Sequence, residues 1–562
     1  MGPATACRVG PVSAPSAVVA ACAAVALPPA RAQVVAEPEV PTNMALTDTR
    51  PEAGTASVAP SAAPGPVSII GSADHKALGR VWIVASLLFT AASLVATLLW
   101  MLHAASSSFL STSTANTLEA ASWVGLVLLG IIPLLLGIAT YVVPLQVGAN
   151  TVAFPRAAAA ALWAWLLSGG VFIVAQCVGG GVGGDRDKSL ALAMLALIGI
   201  VVSIVVATVC VLTTAITLRT PGMTLDLVPA TTWAFVVGGS VWVLTLPVLV
   251  AEALLAWVDL RWGPATPSMG AADTWYAGMQ WLIAQPQDLA LLIPALGISI
   301  DVLVSSASVR LPKRHVVNTI LGVIGVLSVG AYTATTFFPS VGDNLFWQIA
   351  SVVVLLPILA LLGGVAQALR AGGKPALRSP VALAGLALLF TLLAGLTSAL
   401  LAITPLKLRV DGSFQMAQCA FAVAAALAGG LAGVLWWSPK ITGRVGSDGP
   451  GKLAVLLVLA GGGLSGLALA ILGFSTLIDG ISNAQTALVV IAAIGAGVLG
   501  VGVLLGLVGL VAATRSSTEA DADAWGVGQT LEWACPSPPP PGNFGTLAPV
   551  VSAEPLLDAK EA

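Results

Sequence analysis

The sequence predicts an all-α polytopic membrane protein with twelve transmembrane helices, and three observations carry that prediction. Of 562 residues, 57% are hydrophobic and only 9% are charged, a balance outside that of soluble globular domains. Twelve apolar stretches each reach the roughly 20 residues of helix that cross a hydrocarbon core. The connections between them alternate between crowded and sparse in Lys and Arg.

The first stretch, 81–103, follows Lys76 and Arg80 and closes on His103. The second, 118–143, passes through Pro133, and the third, 158–178, starts after Arg156. Gly179 to Gly184 then leads to the fourth, 189–218. No Lys-Ser/Thr follows that glycine run and no strand precedes it, so it reads as a flexible connection and not a phosphate cradle. Arg219 ends the fourth stretch, and Arg261 lies beyond the fifth, 231–257. The sixth, 286–305, leads into the basic loop Arg310-Leu311-Pro312-Lys313-Arg314. After the seventh, 316–338, and eighth, 345–370, come Arg370, Lys374 and Arg378, and then the ninth, 380–404. Lys407 and Arg409 precede the tenth, 415–438; Lys440, Arg444 and Lys452 precede the eleventh, 453–478; the twelfth, 484–513, stops at Arg515.

With the N-terminus inside, fourteen of the Lys and Arg residues that flank these stretches fall on inner connections, from Lys76 to Arg515. Only Arg186, Lys188, Arg261, Lys407 and Arg409 fall outside. Retention of basic residues on the cytoplasmic side therefore places both termini inside. A formal net charge of −2 gives no reason to expect a nucleic-acid partner.

Residues 1–75 are rich in Ala, Pro, Ser and Val and read as a disordered lead. Ser13 to Ala32 resembles a secretory signal, with Arg8 before an Ala/Val core and Ala-Arg-Ala at 30–32. Cleavage there would put the new N-terminus outside, against the charge count, so a start at Met44 or an uncleaved lead is expected. Residues 76–515 form the membrane domain, and 516–562 a cytoplasmic tail. The six cysteines, Cys7, Cys22, Cys177, Cys210, Cys419 and Cys535, have no paired spacing and give no disulfide framework or zinc site.

Several short motifs occur in a telling order. Asp74-His75-Lys76-Ala77-Leu78-Gly79 precedes the first stretch. Tyr141-Val142-Val143-Pro144-Leu145-Gln146-Val147-Gly148-Ala149 and Val152-Ala153-Phe154-Pro155-Arg156 follow the second. Arg219-Thr220-Pro221-Gly222-Met223-Thr224, Ser438-Pro439-Lys440-Ile441-Thr442-Gly443-Arg444, and Thr530-Leu531-Glu532-Trp533 with Asn543-Phe544 come later. Together these resemble subunit I of the haem-copper oxidases, the cytochrome c oxidase family. The resemblance implies a subunit I-like bundle in the bacterial plasma membrane, working in the respiratory chain beside other oxidase-type subunits. It also implies two haems and a copper ion, held by histidines.

The chain has three histidines in all, and none lies deep in an apolar stretch. His75, His103 and His315 read as interfacial side chains. By count from the kept motifs, the family's low-spin haem ligand falls at Ser122, and the His-Phe-His of the tenth helix becomes Ala417-Gln418-Cys419. The sixth-helix motif becomes Gln285-Pro286-Gln287-Asp288-Leu289, which removes a copper ligand, a glutamate and a tyrosine. The copper-binding His-His pair falls near Tyr332-Thr333. The two proton-channel positions fall at Thr151 and Leu361, and the propionate-binding Arg-Arg pair near Asp479-Gly480. Iron and copper sites of this type need imidazole, so no cofactor and no catalytic residue is expected. Cys419 and Met416 offer soft sulfur, but Ser122 stands opposite them.

What remains is a polar core of Gln285, Gln287, Asp288, Asp301, Gln415 and Gln418. Gln285 and Asp288, three apart, share a helix face, as do Gln415 and Gln418. These groups either bridge helices where haem would have filled space or line a pocket or ion path. Three functions follow: a catalytically inactive structural or regulatory subunit of a membrane assembly, which the lost ligands favour; a working terminal oxidase subunit; or a carrier or channel reusing the emptied core.

Overall fold

A helix satisfies all its own backbone hydrogen bonds, which is what the interior of a bilayer demands of a spanning segment. The computed structural model describes residues 71–106, 110–182, 187–262, 287–337, 349, 352–403, 406, 408, 412–476, 481–545, 547 and 549–561. Within them the membrane-directed helices are α1 (His75–Ala105), α2 (Thr112–Gln146), α3 (Pro155–Gly179), α4 (Asp187–Thr217), α5 (Ala230–Trp262) and α6 (Asp288–Ser306). They continue as α7 (Arg314–Phe337), α8 (Leu355–Ala371), α9 (Ser379–Leu401), α10 (Ser413–Trp436), α11 (Gly449–Gly473) and α12 (Gln485–Thr514). Among the described residues ten are long and apolar enough to cross a membrane; α7 and α8 contribute shorter apolar helices, Arg314–Val329 and Leu355–Ala371. The twelve expected spans thus correspond to ten full-length ones and two shorter ones.

Helix α1 and helix α2 each begin six residues before their apolar runs, because a side chain caps them there. Asp74 accepts from the Lys76 backbone N–H at 3.1 Å, and Ser111 accepts from that of Thr114 at 3.2 Å. Inside α2, residues Gly125–Ile131 form a π-helical stretch just before Pro133. A proline ring clashes with the carbonyl four residues back and has no N–H to offer it, and a widened turn is one way to absorb that. Trp165 of α3 donates to one carbonyl of this stretch, that of Leu128, at 3.1 Å.

Burial divides the helices into a centre and a surround. The most apolar stretch of α2 is entirely buried, and those of α10 and α6 are 94% and 89% buried, whereas the other seven crossing helices lie between 33% and 56%. Small residues set the spacing of the three central helices. A Cβ at Gly429 of α10 would stand 2.6 Å from the Ala295 Cβ of α6, and one at Gly430 would stand 2.9 Å from Leu134 of α2. The ends of the domain also meet, with Leu94 of α1 under Gly500 of α12.

The closest backbone approach among these pairs lies between α11 and α12, where a Cβ at Gly461 would meet the Leu499 nitrogen at 2.5 Å and the Gly495 oxygen at 2.8 Å. Backbone cannot move aside as a side chain can. Gly461→Val should cost about 1–3 kcal/mol and lower the thermal unfolding midpoint in detergent. Gly463→Val, with nothing within 4 Å, should leave that midpoint in place.

Candidate functional site

The interior site is built on the three central helices. Asp288 opens α6, and one of its carboxylate oxygens lies 3.3 Å from the Cys419 sulfur and 3.4 Å from the Gln415 amide nitrogen, both on α10. Gln415 also reaches the Cys419 sulfur at 3.8 Å. All three positions were legible as polar core or displaced-ligand positions; their meeting was not. Gln418 is buried one turn deeper on α10.

Asp301 has a different task from the rest of the set. Its two carboxylate oxygens accept from the backbone N–H groups of Ala230 and Thr231 at 3.1 and 2.8 Å. It therefore caps the N-terminus of α5, where an acid is favoured by both hydrogen bonding and the helix dipole. Of the remaining expected residues, Gln285 and Asp479-Gly480 lie outside the described residues. Gln287 starts a short turn, Gln287–Ala290, and Tyr332 and Thr333 lie along α7, with only their backbone described. Leu361 is fully buried on α8.

Ser122 of α2 and Cys419 of α10 face a common cavity of about 80 Å³, lined also by Trp100, Met101, Trp123 and Leu469. Ser122 gives its hydroxyl proton to the Glu119 carbonyl of its own helix at 2.7 Å. Ala417 is fully buried against Met101 and Leu469. Among the described residues, no three His, Cys, Asp or Glu side chains come together as a metal site.

The opposite end of the bundle is a second polar assembly, and it joins the motif residues. The tail after α12 folds beneath the helices, with Trp525 stacked on Trp436 and donating to its carbonyl at 2.8 Å. In the helical turn Leu531–Trp533, Glu532 is buried and accepts from Gln146 at 3.1 Å and from the Trp437 indole at 3.4 Å. The Gln146 oxygen in turn accepts from Thr232 at 2.7 Å, so one amide ties α2, α5 and the tail. Lys440, fully buried after α10, donates to the Cys535 carbonyl and lies 5.4 Å from the Trp533 ring. Its own carbonyl accepts from Tyr141 at 2.6 Å. Further out, Lys76 donates to the Pro540 carbonyl at 3.2 Å and to Asn543 at 3.1 Å, and Asn543 donates to the Ala149 carbonyl at 2.8 Å. Arg314 pairs with Glu554, and Arg310 with Asp558 and Glu561 at 2.6 Å each.

Residues of the motifs around His75, Gln146, Lys440, Glu532 and Asn543 meet at this end of the bundle. The family model for the cytochrome c and quinol oxidase polypeptide I matches residues 77–516. The chain belongs to this family. Among curated haem-copper oxidase relatives it is similar to quinol oxidase subunit 1 of Bacillus subtilis, 25% identical over 88% of this chain and 80% of that protein. It is also similar to cytochrome c oxidase subunit 1 of the same bacterium, 26% identical over 87% and 82%. Cytochrome c oxidase subunit 1 of Corynebacterium efficiens is 27% identical over 86% and 88%. The chain is thus a multi-pass membrane protein of the oxidase subunit I family.

The tail assembly has a pH signature. Burial, above all, raises the Glu532 carboxyl above its usual 4.5, against opposing hydrogen bonds from Thr530 and Gln146. Just above pH 4.5 the folded state keeps a proton that the unfolded chain has released, so stability falls as pH rises through that window. The slope is at most about 1.4 kcal/mol per pH unit for one group. Lys440 works in the opposite sense in the alkaline range, because burial lowers its value below 10.5. Thermal midpoints measured across pH should show the acid-side decline in the native chain and lose it in Glu532→Gln.

Proposed function

We propose that this chain is a haem-copper oxidase subunit I homologue that carries neither haem nor copper and acts as a structural or regulatory subunit of a respiratory membrane assembly. It spans the bacterial plasma membrane with both termini in the cytoplasm. The observation that supports this most strongly is the space between Ser122 and Cys419. A cavity of about 80 Å³ holds two or three waters at ~30 Å³ each, and sites for organic ligands occupy ~300–1,000 Å³.

The donor chemistry agrees with the volume. A six-coordinate haem needs a lone pair from each side. Ser122 offers a hydroxyl in place of the family's imidazole, Ala417 has no donor atom, and the Cys419 sulfur lies 3.3 Å from an Asp288 carboxylate oxygen. These residues do not fit a porphyrin iron. Asp288 joins α6 to α10 through Cys419 and Gln415, which favours a helix bridge over an open ion path. Hydrogen bonds of this kind between membrane helices contribute about 0.6 kcal/mol on average.

The tail assembly supplies what a structural subunit needs, a face where the tail is tied to α1, α2 and α5 by side-chain hydrogen bonds. The test is purification from the native type of membrane, followed by oxygen uptake with reduced cytochrome c and with quinol, and identification of co-purifying chains. The expected result is no oxygen uptake and a stoichiometric set of membrane subunits. Oxygen turnover would overturn the cofactor-free reading, and a chain that purifies alone would overturn the structural role.

A further inference from the structure

A larger cleft, of about 630 Å³, lies between α1, α2 and α3 at the end of the bundle away from the tail. Among the described residues its walls are uncharged, with Phe89, Ala92, Ala96, Gly125 and Phe172 beside the hydroxyls of Ser93, Ser113, Thr114 and Thr117. Ala92, Ile173 and Val178, on its margins, are exposed on the lipid-facing surface, so the cleft opens sideways toward the bilayer.

One side chain in this cleft is not accounted for by the fold. Gln176, three residues before the end of α3, is 9% exposed, and among the described residues neither its amide nitrogen nor its oxygen has a hydrogen-bond partner. Two of the hydroxyls in the lining are already committed. Thr117 donates to the Gly180 carbonyl at 3.1 Å, and Ser93 donates to the Phe89 carbonyl at 2.8 Å. The loop also roofs the amide. Gly181, at φ +44°, passes so close that a Cβ there would stand 2.2 Å from the Gln176 oxygen. An amide left unpaired in a membrane interior is costly, and a buried group without a partner calls for an occupant.

We propose that this cleft binds a hydroxyl-bearing glycerolipid of the outer leaflet. The amide presents a donor and an acceptor side by side, which an ester carbonyl and a glycerol hydroxyl match. The absence of charge in the lining fits the uncharged glycerol-ester region, with any phosphate lying beyond the helix end in the interface. An acyl chain then runs along the wall of small residues, Ala92, Ala96 and Gly125, toward the middle of the bilayer. The volume falls within the ~300–1,000 Å³ of organic-ligand sites.

The test uses the full chain, purified from bacterial membranes in mild detergent, with retained lipid identified and quantified by mass spectrometry. Native protein should hold a stoichiometric glycerolipid through delipidation. Gln176→Leu, of similar size, and Ala96→Phe, which fills the cleft from α1, should each retain about five- to tenfold less, the equivalent of losing one or two hydrogen bonds or their accompanying contacts. Adding phosphatidylglycerol to delipidated protein should raise the melting midpoint of the native chain and not of Gln176→Leu. Three results would overturn the proposal: equal lipid retention by Gln176→Leu, a higher midpoint for Gln176→Leu with and without lipid, or a quinone in place of the glycerolipid. None of these readouts depends on haem content or on partner subunits, so the proposal and the functional reading fail separately.

Discussion

The structure depends on how closely α10 can approach α6 and α2. Lipid tails are as apolar as leucine, so membrane helices gain little from hydrophobic burial against one another. Contact itself must hold them. Gly429 and Gly430 let the α10 backbone pass within side-chain distance of Ala295 and Leu134, and Gly433 does the same against Ile298 and Ile138. That approach draws the three central helices together about three helical turns along α10 from Cys419. It leaves the small cavity beside Ser122 and Cys419, and it brings Asp288 into reach of Gln415.

Closing the interior places the burden of specificity on the other end of the bundle. There the buried Lys440, Glu532, Gln146 and Asn543 are held by backbone carbonyls and by one another. Buried polar networks of this kind rigidify when satisfied. The tail is therefore part of the bundle, and the helices it joins, α1, α2, α5 and α10, include two of the three central ones. A chain relieved of redox chemistry would still need this assembly to fold and to present a constant face.

Ten of the twelve helices were legible at full length because hydrocarbon imposes one length and one composition on every crossing. Helix starts were not, since Asp74 and Ser111 extend α1 and α2 by capping chemistry rather than hydropathy. Within the candidate site, Ser122 and Cys419 could be singled out by counting from Pro133 and Pro439, and they line one cavity. The contact between Asp288 and Cys419 could not, because it joins residues 131 apart in sequence. Asp301 looked like core and is a helix cap, a distinction that depends on where α5 begins. Gln176 left no mark in the sequence: one amide near the end of an apolar stretch becomes informative only when its surroundings show that nothing pairs with it.

The most direct test of the central claim is a reduced-minus-oxidised visible spectrum with pyridine haemochrome quantification, on protein purified from cells that supply their own haem. A flat spectrum from folded, helical protein is the expected result, since Ser122, Ala417 and Cys419 give no ligand pair and the cavity beside Ser122 and Cys419 is only about 80 Å³. Stoichiometric haem with a defined absorption band would contradict the account, and would require α2 and α10 to part by the thickness of a porphyrin.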